Sequence, residues 1–422
     1  MSHLDQRSCI YCSKVRAFTD EHVFPAGLGG DDNRFLLSGL VCGHCNTDIF
    51  SKLELRFMRS SPAAIARMFL QPIGRGRGKK ASIPTIDTRS TTIFTESYGA
   101  IEAEVTASGK AVLLMQLLFH GGGKVSYTGG APEEAVDFLK AVVSTLGDSA
   151  LLVKKYSNTA ATEYEVDSLR WNGERFVLAS REVIDKPPSA CVWREVLEPS
   201  QDGEMYRLAT LYRRRAGQIV LRAPENDDFI ELLTQARKAA PEFQVASIET
   251  TAFENPLVQL SMSMDLRDYG RVLAKIGMNL VTYAFGEAYV RHHAFNKIKR
   301  AILTGDGPIR VVAPPTTVDA FHGVPSDRHV AMVHVEKSRA GRFHVALSIR
   351  LYGGQTLWIL LSANAIQPPD RSAILVVDYK NHRIEDFISL RQFVMAYPPT
   401  PPAEFTRQAM LEALPKLTLK RP

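Results

Sequence analysis

The sequence predicts an α+β protein in two parts: a small zinc-stapled N-terminal unit, then a large α+β C-terminal region. Three observations lead there. Two Cys-x-x-Cys pairs, Cys9/Cys12 and Cys42/Cys45, stand 29 residues apart near the start. Gly74-Arg75-Gly76-Arg77-Gly78-Lys79-Lys80 then supplies three glycines and four cations in seven residues, a composition that packs no core. From about residue 91 onward, β-branched runs alternate with stretches of helical period. The expected domains are 1–74, a basic linker over 75–90, and 91–422, the last either one domain or two divided near 250.

Four thiolates in paired Cys-x-x-Cys units are the ligand set of a closed tetrahedral zinc site, which is structural because it leaves no open position. Tyr11-Cys12 and Val41-Cys42 are expected at tight turns that present two sulfurs each. The segment at His22 should be extended, since Pro25 restricts the residue before it to β-like angles. A helix should open at Asn46 and run through Phe50, Leu53, Phe57 and Met58. A second should begin at Ser61-Pro62, with Ile65, Met68 and Phe69 apolar, and stop before Pro72.

In the C-terminal region, strands are expected at Thr91–Phe94, Ile101–Val105 and Val112–Phe119, then a turn at Gly121-Gly122-Gly123. Pro132–Leu146 reads as an amphipathic helix with Glu133 and Glu134 in its first turn. Residues 163–222 alternate strand-like runs with turns, and Asn172-Gly173 is a hairpin signal. Asp228–Ala239 is helical in pattern. The longest helical signal, 266–304, repeats Leu273, Ile276, Leu280, Tyr283 and Ala284, with Gly286 as a break. Strands follow at Ile309–Val312, Val330–Glu336, Phe343–Leu351, Leu357–Ser362 and Ala373–Val377. A polyproline-like tail at 397–402 and a short helix near Glu404–Leu414 end the chain.

Composition narrows the classes. The apolar content of 45% is that of an ordinary globular protein. No window approaches the ~18 apolar residues of a membrane span, so no membrane partner is expected. Met-Ser-His-Leu-Asp-Gln-Arg has no apolar signal core, and five cysteines, four of them in the zinc pattern, fit a reducing compartment. A cytoplasmic location is the expectation. Residues 1–90 hold 13 Lys/Arg against 8 Asp/Glu, of 51 and 45 in the whole chain, so nearly all of the net +6 lies there. Positive charge beside a candidate site suits a phosphate backbone, although a zinc ion with four thiolates adds about −2 locally.

Between the cysteine pairs lies Thr19-Asp20-Glu21-His22-Val23-Phe24-Pro25, followed by Gly27-Leu28-Gly29-Gly30. Cys42-Gly43-His44-Cys45-Asn46 and Phe50-Ser51-Lys52-Leu53-Glu54 come next. A carboxylate, an imidazole and an amide on a small stapled unit can bind a hard cation and activate water. Over roughly residues 9–58 these motifs resemble the HNH endonuclease family, in its bacterial ββα-metal, treble-clef-like form with a four-cysteine zinc and a Glu-His-x-x-Pro motif. The resemblance implies hydrolysis of phosphodiester bonds in nucleic acid, with DNA as the expected substrate. It implies His22 as general base on the attacking water, and Glu21 and Asn46 as ligands of one catalytic divalent cation, Mg²⁺ or Mn²⁺. The sequence departs from some members in having no His or Asn three or four residues beyond Asn46, where Asp48 and Glu54 are the nearest candidates.

Several residues carry two readings. Asn33 is either the family's middle asparagine or a turn residue after Asp31-Asp32. Glu54 either reaches the metal or is a solvated helix residue, and His44 either touches phosphate or is simply exposed. Arg75, Arg77, Lys79 and Lys80 form either a tether or an arm along nucleic-acid phosphates. Arg213-Arg214-Arg215 and the basic stretch from Arg291 to Arg300 are either nucleic-acid contacts or solvated faces. His292-His293 is a weak metal pattern, because adjacent residues point apart on a helix. Cys191 beside Trp193 is expected as a core thiol. The C-terminal region could recognise nucleic acid, a regulatory ligand or a partner protein, as in bacterial defence nucleases whose appended domain controls cutting. The alternatives are a non-catalytic zinc-dependent nucleic-acid-binding protein and an effector gated by a small molecule.

Overall fold

The computed structural model describes residues 7–74, 83–88, 90–95, 98–106, 109–130, 132–157, 162–197, 207–243, 257–314 and 321–399. The chain divides into two compact units, residues 1–87 with 263–422, and residues 88–262. The expected boundaries at 74 and near 250 are therefore replaced by boundaries at 87/88 and 262/263. Residues 1–74 do not stand as a unit of their own. The physical reason is core size: Phe50, Leu53 and Phe57 of the stapled segment join Leu273, Ile276, Leu347 and Leu375 in one apolar cluster. A segment this short cannot bury enough surface alone.

The first unit opens with a hairpin, β1 (Phe18–His22) and β2 (Leu36–Cys42), antiparallel with a bulge between Thr19 and Glu21. The connection holds a short turn at Ala26–Leu28, closed by Gly29 at φ 87°. A Cβ on Gly29 would lie 2.4 Å from the Tyr379 Cα, so both the left-handed backbone and the close approach require glycine there. After β2 a π-helical stretch, His44–Phe50, runs directly into α1 (Ser51–Arg59), two residues earlier than the sequence suggested. The Ser61 hydroxyl accepts from Ala63 N and starts α2 (Pro62–Leu70), with Pro62 in the first turn.

The second unit is built on two sheets. β3 (Ser90–Thr95), β4 (Gly99–Val105) and β5 (Ala111–Leu113) form, with the later β14 (Val258–Ser261), a four-stranded sheet in the order β14-β3-β4-β5. The expected strand Val112–Phe119 is split: β5 ends at Leu113 and β6 (Gln116–Phe119) joins the other sheet. Gln116 makes the corner, with its Nε2 donating to Glu102 O and Leu114 O while its Oε1 accepts from Glu102 N. β7 (Val125–Thr128), α3 (Pro132–Thr145), β8 (Ser149–Ser157), β9 (Thr162–Trp171) and β10 (Phe176–Ile184) follow, with Asn172-Gly173 turning β9 into β10. β11 (Val192–Val196), β12 (Ala209–Arg213), β13 (Ile219–Ala223), α4 (Phe229–Ala239) and β14 (Val258–Ser261) complete it. The eight strands run β10-β9-β8-β11-β13-β12-β6-β7, and α3 and α4 bury Phe138, Val142 and Leu233 against Leu117, Leu152 and Leu221.

The chain then returns to the first unit with α5 (Leu266–Phe285), whose Asp265 side chain caps Arg267 N and Asp268 N. Gly286, at φ 86°, ends it as expected. α6 (Glu287–Arg291) and α7 (Asn296–Thr304) follow. β15 (Val311–Val312), β16 (His329–Lys337), β17 (Phe343–Arg350), β18 (Leu357–Ala365), β19 (Ala373–Asp378) and β20 (Arg383–Phe387) form an antiparallel sheet ordered β15-β18-β17-β16-β19-β20. α8 (Leu390–Ala396) closes the described chain. α5 is buried on nearly every side, packing on β16–β19 and also on β2 and α1. Gly277 permits the close approach to the sheet, because a Cβ there would sit 3.0 Å from Leu361 Cδ1 and 3.2 Å from Leu347 Cβ. The helix expected near Glu404–Leu414, and all but the first residues of the polyproline-like tail, lie outside the described residues.

Candidate metal centre and the strand beside it

The four cysteines converge. Cys9 opens a tight knuckle in which Ser13 N donates to Cys9 O at 2.9 Å and Ile10 N donates to Leu40 O at 3.0 Å, fastening the knuckle to β2. Cys42 ends β2, and Cys45 lies in the first turn of the following helix. All four Sγ atoms lie within 4.8 Å of one another, with Cys9–Cys45 at 3.9 Å and Cys12–Cys42 at 3.7 Å. A tetrahedron with zinc–sulfur bonds of ~2.3 Å has edges of about 3.8 Å. These four residues could thus hold a metal ion such as zinc. The donor set fits it further: Cys42 N donates to Cys9 Sγ at 3.4 Å, as it would to a zinc-bound thiolate.

β1 carries the other candidates, and its alternation sends them to two faces. His22 is half-buried, with its Nε2 3.6 Å from Asp31 Oδ1. Asn46 ties the helix start to the bulged strand, its Nδ2 donating to Thr19 Oγ1 at 3.0 Å and to Asp20 O at 2.8 Å. Glu21 points inward and is 3% exposed. Its carboxylate pairs with the Lys275 ammonium, which also bonds Glu54, and it accepts from Asn279 Nδ2 at 2.8 Å. Asn279 donates to His22 O at 2.9 Å as well, and its Oδ1 accepts from Tyr11 OH at 2.6 Å. Burial alone would pull Lys275 down, but Glu21 and Glu54 outweigh it and hold the ammonium above the usual lysine range. Burial pushes the Glu21 carboxyl up, against Lys275.

The structure therefore brings His22 beside Asp31, a carboxylate the sequence did not single out, and does not bring Glu21 to that face. Glu21 does not fit a catalytic divalent cation as seated, because its oxygens already meet an ammonium and an amide. Among the described residues, the four cysteines are the one group of three or more His, Cys, Asp or Glu placed to share an ion. Lys275 and Asn279 were missed, although two polar residues four apart inside the apolar 273–284 repeat were a signal for buried partners.

The remaining candidates fall as follows. Glu54 bonds Lys275, and Asn33 is exposed in a turn. His44 is exposed, with its Nδ1 2.9 Å from Asp48 Oδ2 one turn on. Arg214 pairs with Glu195 at 2.6 Å, inside the network around buried Arg222 and Glu102. Arg291 donates to Ser8 Oγ and O. The His292 and His293 rings sit 4.1 Å apart, and Cys191 is a core thiol packed with Val153 and Val166. Arg75, Arg77, Lys79 and Lys80 lie outside the described residues. No helix among the described residues is long and apolar enough to cross a membrane. Comparison with protein-family models, with curated proteins and with solved structures finds no match.

Proposed function

We propose that this chain is a nuclease of the HNH kind, hydrolysing phosphodiester bonds of nucleic acid, DNA first, with His22 as general base. The observation that carries the reading is His22 beside Asp31 on a hairpin pinned to a helix by the four-cysteine knot. A nearby carboxylate favours the proton on Nε2 and directs basicity to Nδ1, which can take the proton of an attacking water. Asn46 holds the helix against the β1 bulge and so fixes the wall of the site. The resemblance also implies Mg²⁺ or Mn²⁺, which when bound would neutralise charge on the scissile phosphate. Of its two expected ligands, Asn46 stays near the surface and Glu21 does not.

The Glu21–Lys275 pair favours a second reading, a zinc-stapled nucleic-acid binder that does not cut. The two separate in one assay. Zinc-loaded protein is incubated with single- and double-stranded DNA and with RNA, with Mg²⁺ or Mn²⁺ and with EDTA, and zinc content is measured afterward. The nuclease reading expects internal cleavage of at least one substrate, lost in EDTA while zinc is retained. Binding of nucleic acid with intact substrates under every condition supports the second reading.

A further inference from the structure

The Glu21 site is built like a cation site. Glu21 and Glu54 turn carboxylate oxygens to one point, with the Asn279 amide on Glu21 and Tyr11 OH on Asn279 closing the polar surroundings. The Phe50 ring lies below, 5.3 Å from Lys275 Nζ to its centroid. Two carboxylates turned to one largely buried point attract a hard divalent ion, because an uncompensated buried charge is costly. Here the charge at that point comes from α5. Lys275 is 2% exposed and Asn279 fully buried, so neither is a surface group that wandered in. Unlike a bound ion, this ammonium is tethered to the helix and indifferent to chelators. It fastens β1, and through Asn279 the His22 carbonyl, to the core of the unit.

We propose that Lys275 stands in for a divalent cation between Glu21 and Glu54, so that Glu21 is a positioning residue for the His22 strand and not a metal ligand. The inference deepens the nuclease reading by removing Glu21 from its cation shell. Its test uses neither nucleic acid nor cleavage, so the two fail separately.

Mn²⁺ binding is followed by the loss of the free-ion electron paramagnetic resonance signal, on zinc-loaded wild type, Glu21→Gln, Lys275→Ala and the Lys275→Ala/Glu21→Gln pair. In wild type, whatever Mn²⁺ binds is unchanged by Glu21→Gln. Lys275→Ala gains a Mn²⁺ site that the double variant loses again, and Mn²⁺ raises the melting temperature of Lys275→Ala alone. Loss of wild-type Mn²⁺ binding on Glu21→Gln overturns the proposal, and this comparison stands even if Lys275→Ala does not fold. A folded Lys275→Ala that gains no Mn²⁺ site overturns it too.

Discussion

Cys9→Ser loses the zinc and unfolds the whole first unit, residues 263–399 included, while the second unit keeps its cooperative transition. With the domain boundary expected at 74, the unfolding would have stopped there. The shared core changes that outcome: Cys9, Cys42 and Cys45 sit in one cluster with Phe50, Leu273, Ile276, Leu347 and Leu375. Zinc contributes about 10–16 kcal/mol to small zinc-folded peptides, and a whole domain is stable by only ~5–15 kcal/mol. Losing even half of the first figure leaves the unit without a margin. The second unit has a separate core in which α3 and α4 cover its eight-stranded sheet. Elemental analysis with denaturant unfolding followed by circular dichroism checks this. One zinc per wild-type chain, none in Cys9→Ser, and a single surviving transition are expected. A variant that keeps its zinc and both transitions contradicts it.

Stability of the first unit falls as pH drops below about 6.5, and the imidazoles of His334 and His329, both held down by burial, are two causes, His329 reaching furthest into acid. Its ring is fully buried, stacked on Phe24 and Tyr379 at 5.7 and 4.6 Å and met edge-on by Tyr352 at 4.4 Å. Tyr352 N donates to its Nδ1 at 3.1 Å, as a neutral imidazole requires. Burial holds this imidazole down, to about 3. The unfolded chain therefore takes up a proton below about pH 6.5, and the folded chain does not until near pH 3. Stability is fully present above 6.5 and is lost across that window at about 1.4 kcal/mol per pH unit. Between pH 6.5 and 5 the loss is roughly 2 kcal/mol. His329→Phe removes the His329 share of the slope and leaves that of His334, whose imidazole burial holds down at about 4, and the Tyr352 N–H it orphans costs about 1–3 kcal/mol at every pH. Urea midpoints at pH 7 and pH 5 test it, and equal slopes in wild type and variant count against it.

Local chemistry was legible in the sequence and long-range partnership was not. The cysteine spacing read directly as a ligand set, because four thiols in two close pairs have few other uses. The helix start at Ser61-Pro62, the Gly286 stop and the Asn172-Gly173 hairpin are short-range effects. The partner of Glu21 was not legible by adjacency: neighbours on a strand point to opposite faces, and Lys275 follows only after the inserted second unit in the sequence. The insertion itself left no compositional mark, since the linker-like 74–80 segment precedes the true boundary at 87. β20 escaped notice because Arg383, Glu385 and Asp386 leave it few apolar positions, with Ile384 its one buried residue.

The central claim is that His22 takes the proton of the attacking water. Wild type and His22→Ala, matched for zinc content, melting temperature and nucleic-acid binding, are compared for cleavage under single-turnover conditions on a substrate that wild type cuts. The His22 side chain is 22% exposed, and its strand is still held by Glu21 and Asn279 when it is removed. Loss of a general base costs about 10²–10⁴ in rate, or roughly 3–5 kcal/mol of barrier. The account predicts a loss of that size, with zinc, fold and binding retained and no rescue by added Mg²⁺. Equal cutting by wild type and His22→Ala would contradict it.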